Sequence, residues 1–127
     1  MDQSLKKKHV LSVEDDEANQ FLMKLLLKRI GCRIDLAGDG QEAVAKVREN
    51  KYDIIFMDLR MPVMDGFEAT EIIRKEIDAS IPIVAVSAHV LKEVVDKCLS
   101  VGMNGFISKG CDMEEMKKEI SFWITKS

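Results

Sequence analysis

Long apolar runs, paired cysteines and an excess of basic charge are all missing from this chain. No apolar stretch approaches the ~20 residues that cross a bilayer as a helix, so a membrane is not an expected partner. Three cysteines, Cys32, Cys98 and Cys111, stand far apart with no CxxC pair. That odd count and spacing argue against a disulfide framework or a zinc site. A reducing, cytoplasmic setting is expected, with each thiol acting as a small core hydrophobe. Acidic residues outnumber basic ones by 22 to 19, for a net charge of −3. Nonspecific binding to nucleic acid needs a basic footprint, and none is present. Residues 1–7 read as a polar leader, because Lys6 and Lys7 sit among polar neighbours without the apolar stretch of a signal peptide. No repeat, low-complexity tract or Pro/Gly-rich linker divides the rest, so residues 8–127 are expected to form one domain.

What the chain does contain is a regular alternation. Short apolar runs at 10–13, 54–57 and 83–86, a polar–apolar alternation at 33–37 and a short run at 105–108 read as five strands. Helical patterns fall between and after them, at about 17–30, 41–50, 66–76, 91–101 and 112–126. In the first helix Phe21, Leu22, Leu25, Leu26 and Ile30 form the expected buried stripe. Gly31 is its expected stop and Asp16 its expected N-cap, with Asp112 in the same role for the last helix. The last helix has an apolar line of Met113, Met116, Ile120 and Ile124. Ser12 is the one polar residue inside the first apolar run. Continuous apolar strands are buried on both faces, as in a parallel sheet covered by helices. The expected fold is therefore α/β, a doubly wound (βα)5 domain with sheet order 2-1-3-4-5, in which ligands bind beyond the carboxyl ends of the strands.

Four of those ends carry chemically useful groups. Glu14, Asp15 and Asp16 follow the first strand, Asp58 ends the third, Ser87 follows the fourth and Lys109 the fifth. The sheet order would converge them on one crevice. Several carboxylates in one crevice repel one another unless a cation joins them. Oxygen ligands of this kind select Mg²⁺, Mn²⁺ or Ca²⁺. Asp58 beside a cation, a lysine and a hydroxyl is an arrangement suited to phosphoryl transfer. Any one of these residues alone would be an ordinary turn former, cap or solvated side chain. Their joint placement carries the reading.

The stretches Val-Glu-Asp-Asp-Glu-Ala-Asn (13–19), Met-Asp-Leu-Arg-Met-Pro-Val-Met-Asp-Gly (57–66), Val-Ser-Ala-His (86–89) and Gly-Phe-Ile-Ser-Lys (105–109) resemble the response-regulator receiver family. The resemblance covers nearly the whole chain and is similar to the chemotaxis response regulator and to receivers of hybrid sensor histidine kinases. It implies a phosphoacceptor at Asp58, taking a phosphoryl group from a histidine kinase or a histidine phosphotransfer protein. The same resemblance implies a metal held by Glu14, Asp15, Asp58 and the main-chain carbonyl of Arg60. Asp15–Asp16 is the alternative register for the acidic pair. Lys109 would pair with the phosphoryl group. Ser87 and Phe106 would form a switch read by a downstream protein on the face made by the fourth helix, fifth strand and last helix. Arg60 and His89 would flank the site and tune its rates. One departure is Gly110, where relatives place a proline after the lysine, which leaves the geometry of that loop open.

Three other readings compete for the same residues. A haloacid-dehalogenase-type phosphatase would place a second Asp two residues after the nucleophile, where Arg60 stands. A flavodoxin-like cofactor binder would need a phosphate-cradling loop after the first strand, and this loop is acidic. A degenerate receiver acting only as an interaction module is countered by intact Asp58, Ser87 and Lys109, but Gly110 keeps it open.

Overall fold

The computed structural model describes residues 7–88 and 91–126, with side chains described as far as residue 124. Of the expected leader only Lys7 falls within that range, and His89 lies outside the described residues. Five strands alternate with five helices: β1 (His9–Val13), α1 (Glu17–Ile30), β2 (Arg33–Ala37), α2 (Gly40–Glu49), β3 (Ile54–Asp58), α3 (Gly66–Ile72), β4 (Ile83–Ser87), α4 (Lys92–Val101), β5 (Gly105–Ser108) and α5 (Met113–Lys126). The strands are parallel, in the order β2-β1-β3-β4-β5, as the pattern of the sequence leads one to expect. No helix among the described residues is long and apolar enough to cross a membrane.

Two apolar layers flank the sheet. The pleat sends alternate side chains to opposite faces. Leu11, Ile55, Met57, Ile83 and Ala85 pack beneath α2, α3 and α4, together with Ala43, Val44 and Val47 of α2. Val10, Ile54, Phe56, Val84 and Ile107 face α1 and α5 and meet Leu27, Ile30, Met116 and Ile120. β2, at one edge, has only Ala37 fully buried, consistent with its polar–apolar alternation. The helix ends follow local chemistry: Asp16 Oδ2 accepts from Asn19 N at 2.9 Å, and Asp112 Oδ1 from Glu115 N at 2.9 Å. Gly31 N donates to the carbonyls of Leu27 and Lys28, ending α1 as expected.

The expected stripe on α1 is wrong in part. Phe21, Leu22 and Leu25 are 62%, 57% and 42% exposed, whereas Leu27 and Ile30 are buried. Between Phe21 and Ile30 the helix has more apolar residues than one face can cover. The face bearing Met23, Leu27 and Ile30 meets the sheet, and the Phe21–Leu25 strip is rotated away from it.

The third helix also departs from regular geometry. It runs on through a π-helical turn, Ile73–Ile77, closed by Asp78 N donating to the Ile73 carbonyl at 2.8 Å. Such wide turns are a rare local variant of the helix. Arg74 within it donates to the carbonyls of Gly102 and Asp78 and to Asn104 Oδ1, tying the end of this helix to the C-terminus of α4. At the opposite end of the sheet from the strand-end acids, Tyr52 Oη donates to Asp35 Oδ2 at 2.7 Å, and His9 Nε2 lies 3.0 Å from the same oxygen. The Tyr52 hydrogen bond, followed by the His9 charge, lowers the Asp35 carboxyl against the opposing effect of burial.

Candidate functional site

The site is assembled at the carboxyl ends of β1, β3, β4 and β5. Glu14 follows β1, and its main chain continues the sheet, N donating to the Ala37 carbonyl at 2.9 Å. Gln20 of α1 reaches back to the Glu14 carbonyl at 2.6 Å, and Asp16 N donates to Glu14 Oε2 at 3.3 Å. Gln20 is a residue that sequence reasoning did not single out, and the packing of α1 over β1 brings it there. Asp16 caps α1, so its carboxylate is engaged as a cap, and the acids whose oxygens gather in the crevice are Glu14, Asp15 and Asp58.

Asp58 ends β3 with its side chain 6% exposed. Its Oδ1 accepts from Arg60 N at 3.3 Å. The next turn presses on its backbone: Gly66 N donates to the Leu59 carbonyl at 3.2 Å, and a Cβ added at Gly66 would lie 2.2 Å from the Asp58 carbonyl oxygen. Glycine is required there by close approach rather than by torsion angle. Gly66→Ala is expected to displace β3's end, lowering stability by about 1–3 kcal/mol. Urea denaturation would show the loss, and an unchanged midpoint would refute the contact.

Lys109 crosses the crevice. Its main-chain N donates to the Ser87 carbonyl at 2.8 Å, which locks the end of β5 to the end of β4. Its Nζ lies 3.2 Å from Glu14 Oε1 and 3.3 Å from Asp58 Oδ2. Gly110, the departure from the family pattern, adopts φ 87°, a left-handed conformation that suits glycine and is closed to proline. The loop therefore differs from one built on proline, yet Lys109 still reaches both carboxylates.

Carboxylate oxygens of Glu14, Asp15 and Asp58 lie within 4.8 Å of one another, a spacing that suits a shared hard cation. Two of the three are nearly buried while Asp15 is exposed. Burial, then the hydrogen bond and charge of Asp58, hold the Glu14 carboxyl above its ordinary value; the Asp16 N–H and Lys109 pull the other way. Burial works to lower the Lys109 ammonium, but Asp58 and Glu14 outweigh it and hold it above the ordinary lysine value. Surplus negative charge against one ammonium is the electrostatic signature of the crevice.

On the far side of Asp58 a groove of about 810 Å³ opens between the β3–α3 loop and α4, bordered by Asp15, Arg60, Phe67, Ser87 and Lys97. Arg60 is exposed at its rim. Lys97 Nζ sits 4.3 Å from the centre of the Phe67 ring across it. Ser87 and Phe106 project from adjacent strands toward the α2–α4 side, with Phe106 half-buried against that layer of the core.

The family model for the response regulator receiver domain matches residues 10–121. The chain belongs to that family. The receiver domain is similar over 85% of its length to a segment of the osmosensing histidine protein kinase SLN1 of Saccharomyces cerevisiae, at 41% identity, and that segment is 9% of the kinase. Hybrid signal transduction histidine kinase L of Dictyostelium discoideum is 39% identical over 87% of the receiver domain, which spans 7% of that relative. The receiver domain thus corresponds to a small part of these relatives. Among solved structures, the receiver domain of the sensor histidine kinase PA1611 of Pseudomonas aeruginosa superposes with a TM-score of 0.87 at 36% identity, covering 94% of this chain and 98% of that one. A magnesium ion is coordinated in that protein's active-site cleft. Domains of this family work in two-component signalling.

Proposed function

We propose that this receiver domain accepts a phosphoryl group on Asp58 from a phosphohistidine donor and presents the result on the face formed by α4, β5 and α5. The observation that carries the reading is Lys109 Nζ, placed between Glu14 and Asp58 in a crevice that still has a surplus of carboxylate. Glu14, Asp15, Asp58 and the main-chain carbonyl of Arg60 would hold Mg²⁺, or Mn²⁺ in its place. When bound, the cation offsets charge on the phosphoryl oxygens. An Asp58 carboxylate oxygen attacks phosphorus as the P–N bond to the donor imidazole breaks; the electron pair leaves with that nitrogen, which then takes a proton. Lys109 neutralises an equatorial oxygen and Ser87 donates a hydrogen bond to another. Arg60 and His89 would tune how water approaches the product. Histidine kinases and histidine phosphotransfer proteins are the proposed donors, since relatives of this chain are histidine kinases. The exposed strip Phe21, Leu22 and Leu25 gives such a donor an apolar surface beside the crevice.

Acetyl phosphate with Mg²⁺ is expected to add one phosphoryl group by intact mass, and none when the cation is chelated. Absence of the adduct at millimolar Mg²⁺ would leave only an interaction module. Cation binding itself is expected to be weak. It should move NMR signals around Asp15 and Asp58, whereas Trp123, on α5 against Gly105, is a poor probe.

Output would run through Ser87 and Phe106. Drawing the Ser87 hydroxyl toward a phosphoryl oxygen frees space beneath α4 for the Phe106 ring, which needs no polar partner in either position. The exposed Leu99 and Phe122 on α4 and α5 support this face as the one a downstream protein reads. With beryllofluoride on Asp58, the signals of Phe106 and of the α4–β5–α5 surface are expected to shift together. If they stay fixed while the mimic is bound, the switch is wrong even with the chemistry right.

A further inference from the structure

The crevice is also the roof of a second cavity, on the other side of the sheet from the groove. The pleat explains why. Glu14, Asp58 and Lys109 each stand two residues beyond a side chain directed to the α1–α5 face: Ser12, Phe56 and Ile107. Beneath the charged roof, Phe56, Val86 and Ile107 form the floor, with Leu26 of α1 and Met116 of α5 as walls. The cleft they line is half-open to solvent and has a volume of about 300 Å³. That is room for about ten water-sized groups.

Two features of the sequence left unused by the phosphoryl chemistry border this space. Ser12, the polar residue in the first apolar run, is 1% exposed and lines it. Gly110 lines it too, with nothing within 4 Å of where a Cβ would stand. The small side chain of buried Ser12 leaves open what a larger one would fill. Clefts of about this size, lined mainly by apolar side chains with a few polar groups at one end, accept small ligands. At the polar end, Glu14 and Asp58 are 6% and 4% exposed and lie against the same Lys109 ammonium, so two carboxyl groups at this end of the cleft share a single cationic partner.

We infer that this cavity binds a small amphiphilic amine, its apolar body of about ten non-hydrogen atoms lying between α1 and α5 and its ammonium head against Glu14 and Asp58. The head would occupy the charge deficit that a divalent cation also serves, so amine and cation exclude one another. Neither the cavity nor its charge depends on Asp58 being a phosphoacceptor.

The test is an NMR titration of the full chain, metal-free, with phenylpropylammonium, against phenylpropanol and phenylpropanoate of the same shape. Saturable shifts of the Leu26, Ile107 and Met116 methyls are expected, with the amine binding at least about ten-fold more tightly than the alcohol and the carboxylate not binding. Mg²⁺ should weaken the amine in proportion to its own occupancy. Leu26→Trp, which fills the space, should abolish binding; Cys111→Leu on the opposite lip serves if that variant does not fold. Equal binding of amine and alcohol, shifts centred elsewhere, or no saturation would overturn the inference. Acetyl phosphate labelling of the same samples separates the two ideas: an adduct without amine binding removes the cavity alone, and amine binding without an adduct removes the phosphoacceptor alone.

Discussion

Asp58→Asn is expected to abolish the phosphoryl adduct and to leave the protein more stable. The change keeps the shape of a side chain that is nearly buried, and it removes one negative charge from a crevice holding three carboxylates against one ammonium. Asp58 is also a cause of the raised Glu14 carboxyl, through its hydrogen bond and its charge. A carboxyl whose folded value is raised favours the protonated form, so ionised Glu14 weighs against the fold at neutral pH. That cost is absent below the ordinary carboxyl value and grows as pH rises through the raised one. The variant should therefore gain about 1 kcal/mol at neutral pH, with the gain shrinking in acid. Intact mass after acetyl phosphate and urea denaturation across pH give both readouts. An adduct formed at the wild-type rate would place the nucleophile elsewhere.

Lys109→Met should act in the opposite direction on stability. It leaves Glu14 and Asp58 facing one another without the ammonium that lies 3.2 and 3.3 Å from them. Removing one partner of a largely buried charge cluster is costly, here about 2 kcal/mol given that Lys109 itself is partly exposed. Millimolar Mg²⁺ should restore part of that loss, because the cation supplies the missing positive charge. The lysine's contribution in the wild type is fully present below its ordinary value and fades only as pH rises through its raised folded value, well into alkali. Phosphorylation should slow by about a hundred-fold or more, the effect of deleting one group that stabilises transition-state charge. Denaturation with and without Mg²⁺, and the rate of adduct formation, test both halves. A variant of full stability and full rate would show that Lys109 serves neither role.

Much of this was legible along the chain because it depends on local chemistry. Apolar runs buried on both faces announce central parallel strands, and β1, β3 and β4 are those runs. Asp16 and Gly31 mark the ends of α1 through bonds made within a few residues. The acids, the hydroxyl and the lysine were readable as strand-end groups, because the alternation of elements sets the sheet order and the order sets which ends are neighbours.

Elsewhere the outcome rests on what each segment meets. Helix α1 offers two apolar strips, and its own periodicity does not choose between them; contact with Val10, Phe56 and Met116 buries Leu27 and Ile30 and leaves Phe21 and Leu22 outside. The π-helical turn coincides with long-range bonds from Arg74 to Gly102 and Asn104, invisible in a local pattern. The sequence by itself determined the inventory of the crevice: which groups are present and at which strand ends. The tertiary structure alone decided that Lys109 lies between Glu14 and Asp58, that Gln20 and Gly66 hold the site from behind, and that an apolar cavity lies beneath it. The physical reason is range. Capping and strand burial are settled by neighbours in sequence, whereas charge pairing and cavity volume depend on distances between elements that only the packed sheet and helices set.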